Sequence, residues 1–108
     1  MANEFTNAQK VGVTTVQTVY TAAAGKTCIM LELDIANTTS AVVEASVQIF
    51  DTSATTSAYI VKNAPVPAGG SLMVIAGQKI VLEPTDIVKV KATGTVDVVA
   101  AILEDVNP

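Results

Sequence analysis

Thr27-Cys28-Ile29-Met30-Leu31-Glu32-Leu33-Asp34-Ile35-Ala36-Asn37 is the stretch from which the fold is read. Ile29, Leu31, Leu33 and Ile35 recur at every second position, with Met30, Glu32 and Asp34 between them. A period of two sends alternate side chains to opposite faces of a strand. The segment therefore reads as a half-buried antiparallel strand that turns Glu32 and Asp34 outward. It ends at Asn37-Thr38-Thr39-Ser40, whose short polar side chains favour a turn. Beyond it, Val43, Ala45, Val47 and Ile49 alternate with Glu44, Ser46 and Gln48, which marks a second strand over Val42 to Phe50. The two are expected to pair as a hairpin.

The same pattern continues on both sides. Asp51 to Ser57 is a small, polar loop tip, and Tyr59 to Lys62 a short strand. Asn63 to Gly70 holds Pro65, Pro67 and a Gly pair, which suits an extended connection or turn. Strands are expected over Ser71 to Ala76 and Lys79 to Leu82, separated by Gly77. Glu83-Pro84-Thr85-Asp86 is a turn, and Ile87 to Ala92 with Thr95 to Leu103 forms a hairpin across Thr93-Gly94. A first strand over Val11 to Thr21 brings the count to about eight. Val, Ile and Thr supply 39 of the 108 residues and Leu only 5, an excess of β-branched side chains that favours strands. The expected fold is all-β: about eight short, mainly antiparallel strands in a β-sandwich, with the jelly roll as a candidate topology. Residues 1–10, apolar mainly at Phe5, are expected to be a flexible N-terminal arm on a single domain over 11–108.

At this length the chain makes one domain with a folded surface of about 5,700 Å², enough to enclose a core without metal or disulfide. What is missing narrows the chemistry. The chain has no His, no Arg, no Trp and one Cys. Zinc lacks a ligand set. Ser46, Ser53 and Ser57 lack an imidazole base, and no GxSxG elbow surrounds Ser71. Cys28, at the start of an apolar alternation, reads as a packed side chain. Asp51 with Thr52, Ser53 and Thr55 is the nearest approach to a calcium loop and reads as a polar loop. Glu32 and Asp34 form a carboxylate pair of the kind glycosidases use, but on an outward strand face they read as solvated. Phe5, Tyr20, Phe50 and Tyr59 are the only aromatic residues, too few for a sugar-stacking groove. No enzyme activity, cofactor or metal is expected.

A net charge of −4 without Arg disfavours nucleic acid. The polar start MANEFTNAQK lacks the apolar core of a signal peptide, and no apolar run approaches the roughly 20 residues of a membrane span. Synthesis in a cytoplasm, with no membrane partner, is the expectation. Two stretches carry more apolar surface than a two-layer fold hides on one side. Val96 to Leu103 is apolar on both faces apart from Asp97, and Leu72 to Ala76 is continuously apolar. The surplus points to a subunit interface formed by Leu72, Val74, Val99, Ala101, Leu103 and Phe5. A homo-oligomer is expected, a three-fold ring first.

Three phrases carry a family resemblance. They are Thr18-Val19-Tyr20-Thr21-Ala22-Ala23-Ala24-Gly25-Lys26-Thr27, Ala64-Pro65-Val66-Pro67-Ala68-Gly69-Gly70-Ser71-Leu72, and Ile80-Val81-Leu82-Glu83-Pro84-Thr85-Asp86-Ile87-Val88-Lys89-Val90. Their order, over roughly residues 15–104, resembles the small β-sandwich virion proteins of tailed bacteriophages. Those follow Tyr-Thr-x-Pro-x-Gly-Lys-Thr with Pro-x-Pro-x-Gly-x-Ser-Leu and Leu-x-x-Gly-Asp-x-Ile-x-Val. Here Ala23 or Ala24 replaces Pro, and Thr85 replaces the Gly before Asp86, which implies a turn without positive φ. The resemblance implies a non-enzymatic virion component, with a capsid decoration (cement) protein on the major capsid protein as the first expectation. Neck, tail or fibre-associated placement is the alternative, and a carbohydrate or host-surface binding module a more distant one.

Overall fold

A computed structural model of the chain describes residues 3–106. Its strands are β1 (Glu4–Val13), β2 (Gln17–Thr21), β3 (Cys28–Asn37), β4 (Val43–Asp51), β5 (Thr56–Val66), β6 (Ser71–Leu82), β7 (Ile87–Ala92) and β8 (Val96–Glu104). They form two four-stranded sheets, ordered β1-β8-β3-β6 and β2-β7-β4-β5. Every pairing is antiparallel. Strand β1 pairs with β8, β2 with β7, β3 with β6 and β4 with β5. The chain is thus one long hairpin of paired strands wound into two layers, the eight-stranded jelly roll.

The inner faces meet in a core of β-branched and aliphatic side chains. Leu33, Ile35, Val47, Val88, Val90 and Ile102 are each 0% exposed. Burying side chains of this size contributes about 1.5–3 kcal/mol apiece. Total accessible surface is 5657 Å², matching the scaling expectation.

Both expected hairpins are corrected. Strand β3 pairs with β6 and β8, whereas β4 lies in the other sheet between β5 and β7. Likewise β7 and β8 lie in different sheets. The turn residues mark where each strand stops, but both connections pass from one layer to the other, and they are laced together. Thr38 donates its amide and hydroxyl to Thr95 O, Thr93 N donates to Glu44 O at 2.9 Å, and Glu44 N donates to Thr93 Oγ1 at 2.9 Å. Gly94 is required at this crossing, because a Cβ there would lie 2.5 Å from Val43 Cγ1. Asn37, 3% exposed, closes the corner by donating from Nδ2 to Ala41 O and Val66 O.

The strand count agrees with expectation although several boundaries do not. Residues expected as one strand from Val11 to Thr21 belong to two, β1 and β2, in different sheets. Residues 71–82 form a single bulged strand, and β5 runs on through Pro65, tolerated because β5 is a sheet edge. The expected arm is corrected over residues 4–10, which pair along β8 from Glu4↔Glu104 to Lys10↔Val98. Residues 1 and 2 lie outside the described residues. Thr85 has a φ of 70°, so the turn does use the left-handed region. With Pro84 at the second position and Asp86 N donating to Glu83 O at 3.0 Å, the positive φ at the third is that of a type II turn, here adopted without Gly.

Candidate interaction surface

Strand β3 decides which side chains face outward, through a single extra residue. Met30 lies opposite Ile102 and Glu32 opposite Ala101, so Leu31 is inserted as a β-bulge. The bulge reverses the alternation. Cys28, Met30, Leu33, Ile35 and Asn37 are buried, while Ile29, Leu31, Asp34 and Ala36 are half-buried and Glu32 is exposed. The expected grouping of Ile29 and Leu31 with Leu33 and Ile35 is corrected accordingly. Glu32 and Asp34 do share the outer face, as expected.

Directly opposed residues in an antiparallel sheet project to the same side, so the register lays out the outer face of the first sheet. One row crosses all four strands as Phe5, Leu103, Ile29 and Val81. Two steps along, Gln9, Val99, Asp34 and Met73 form a second complete row. Between them lie Asn7, Ala101, Glu32 and Ala76. Phe5 is 77% exposed, Met73 65%, Val81 60% and Val99 47%. The face is largely apolar and carries Glu32 and Asp34 beside Asn7 and Gln9, with Asp97 one row beyond and the exposed Lys79 on β6. Asp34 Oδ1 is cut off from solvent and has no hydrogen-bond partner.

Four of the six expected interface residues, Phe5, Val99, Ala101 and Leu103, come together here. Leu72 and Val74 do not. Leu72 lies opposite Ile35 on the inner side and packs against the core, and Val74 is 7% exposed within it. The register shift between Leu33 and Asp34 leaves Val74 as the extra residue of β6, which a continuous apolar run cannot disclose. Ile29, Val81 and Met73 were missed for the same reason, their parity being set by bulges.

The outer face of the second sheet has another character. Here Ile87 lies opposite Phe50, Lys89 opposite Gln48, and Lys91 opposite Ser46, while Gln48 faces Tyr59 across β4 and β5. Its two aromatic rings are roofed by lysines. Lys89 Nζ stands 5.0 Å from the Phe50 centroid and Lys62 Nζ 5.3 Å from that of Tyr59. Such contacts shelter ring faces and hold ammonium groups at the surface.

Two polar clusters close the rims. Tyr20 reaches from β2 toward the first sheet, its hydroxyl hydrogen-bonding Glu104 and meeting Cys28 Sγ at 3.4 Å. Burial, then these two hydrogen bonds, push the phenol well above its ordinary value and keep it protonated. Cys28 is buried, as its place in the alternation suggested. Elsewhere Asp51, Glu83 and Asp86 each bring a carboxylate oxygen within 4.8 Å of the others, beside an open cleft of about 420 Å³. Turn closure accounts for two of these groups. Asp86, 5% exposed, accepts from Thr52 N at 3.3 Å and Glu83 N at 3.1 Å. Asp51 accepts from the Ser53 hydroxyl at 2.7 Å and the Ser53 and Ala54 amides, which lowers its pKa.

No protein-family model, no curated protein and no solved structure matches this chain.

Proposed function

We propose that this protein is a non-enzymatic structural component of a tailed-bacteriophage virion, and specifically a capsid decoration protein that binds and stabilises the lattice of the major capsid protein. One observation carries the reading: a small jelly roll leaves a four-stranded face open, with the Phe5–Leu103–Ile29–Val81 row and Met73 uncovered. Exposed apolar surface of this breadth marks association. The phage-like phrases of the sequence supply the setting, and the jelly roll, shared by capsid proteins, lectins and cupins, is compatible with it without selecting it. Repetition suits the chemistry. Modest apolar burial at each copy becomes firm attachment when many copies engage a lattice at once.

The scarcity of aromatic side chains and their lysine cover weigh against sugar stacking, since a pyranose needs an open ring face. The test is a mass-resolved dissection of purified particles into shell, neck and tail. Cement predicts this chain in the shell fraction and recovery of shell stability when purified protein is added back to stripped shells. Presence with the neck or tail alone would replace cement by the neck, tail or fibre alternative. Absence from the particle would overturn the virion reading altogether.

A further inference from the structure

We infer that the outer face of the first sheet docks on the outer face of the second sheet of another copy of this chain, head to tail. The first face is apolar but not neutral. Glu32 and Asp34 sit on it, and Asp34 Oδ1 already lacks both solvent and a donor. Bringing two such faces together would bury carboxylates against Val99, Ala101 and Met73 in excess of the cation this face carries, Lys79 on the edge strand β6. Unpaired buried charge is expensive, so a symmetric contact of this face with itself is disfavoured. The covering surface must combine apolar or aromatic area with ammonium groups.

The chain presents that combination on its opposite side. Lys62, Lys89 and Lys91 stand among Phe50, Tyr59 and Ile87 on the second sheet. The signs are complementary, with Glu44 set at the far end beside Pro65. The shapes also agree, for each face is four strands wide. At about 4.8 Å between strands and 3.3 Å per residue, the second face, limited by the five residues of β2 and the six of β7, gives a footprint of about 300–500 Å². Counted on both partners this is about 600–1,000 Å², the size of a weak contact. Aligned sheets pack face to face within proteins in the same way.

The two faces lie on opposite sides of a two-layer sandwich. A contact between them therefore repeats in one direction and builds an open stack, where the sequence had suggested a three-fold ring. The contact uses the same open face that supports the virion reading, and the two are tested apart, purified protein answering for the first and particles for the second.

The experiment is sedimentation velocity on the full chain and on variants of each face. Val99→Lys alters the first face, and Lys91→Glu with Lys89→Glu alters the second. The wild type is expected to form species larger than dimers as concentration rises toward about 200 μM, less so in high salt. Each variant alone is expected to stay monomeric, its association weakened at least about tenfold. Mixed in equal amounts they retain one intact face of each kind, and a 1:1 heterodimer that grows no further is expected. Circular dichroism checks folding, and Met73→Lys replaces Val99→Lys should the latter unfold. A monomeric wild type, a mixture that fails to pair, or a second-face variant that still self-associates would each overturn the inference.

Discussion

The two outer faces of this sandwich have the same width and opposite surface chemistry. On the first sheet, Phe5, Val81, Met73 and Val99 are open to solvent, and the polar groups among them are mainly acidic or neutral. On the second, the two aromatic rings lie beneath lysine ammonium groups. A sheet with one solvated face ordinarily looks like the second, with polar groups outward and apolar groups inward. The first sheet departs from that rule along a full row of four strands. Ordinary folding does not require the departure, because the inner faces already enclose the core. Under the proposed docking, this is the difference between surface that serves folding and surface kept for contact.

The largest test of this contrast lies at the bulge in β3. Plain alternation makes Leu31 and Leu33 equivalent, whereas the bulge puts Leu33 at 0% exposure and Leu31 on the outer side. Leu33→Ala is expected to cost about 2–5 kcal/mol in urea unfolding. Leu31→Ala should cost less than about 1 kcal/mol, as half-buried surface sites do. Equal losses would mean that the outer face has been misassigned.

A smaller effect of opposite sign is expected at Asp34. Its orphaned oxygen is a liability to the isolated chain, so Asp34→Val should raise monomer stability by about 1 kcal/mol. The same change should weaken association with the lysine-bearing face. Stability gained at the expense of binding is the signature of a residue kept for contact. Loss of stability would show that the carboxylate is already satisfied in the fold.

The second face should respond least. Lys89→Met removes the cation over Phe50 and is expected to cost about 0.5 kcal/mol in a thermal melt. A cost of several kcal/mol would indicate that the lysines hold the fold together and are not spare surface charge.

Much of this was legible in the sequence, and the illegible part has a common cause. Strand β4 reads correctly because the bulges in its pairing with β5 insert their extra residues in β5, leaving Val43, Ala45 and Val47 in alternation, all buried. Val99, Ala101 and Leu103 share a face that the two-sided apolar pattern of β8 discloses, whereas Phe5 joins them only through the pairing of β1 with β8. Parity failed wherever a residue was inserted, at Leu31 and at Val74, since a bulge depends on the partner strands and leaves no mark in its own strand. Hairpins failed because turn residues around Asn37 and Gly94 end a strand without saying which layer receives the next. The crossings meet where Gly94 packs against Val43, fifty-one positions away in sequence, a proximity that the turn residues do not disclose. The acidic rim gathers Asp51, Glu83 and Asp86 from two separate turns, so spacing along the chain could not join them.

Two methionines allow the central claim to be measured in one experiment. Met73 lies on the open face of the first sheet at 65% exposure, and Met30 lies in the core at 0%. Oxidative footprinting, read by mass spectrometry across a concentration series, should show Met73 modified readily in dilute protein and progressively protected as the chain associates. Met30 should stay unmodified throughout. A Met73 rate that is the same at every concentration, while the protein associates, would contradict the assignment of this face as the contact.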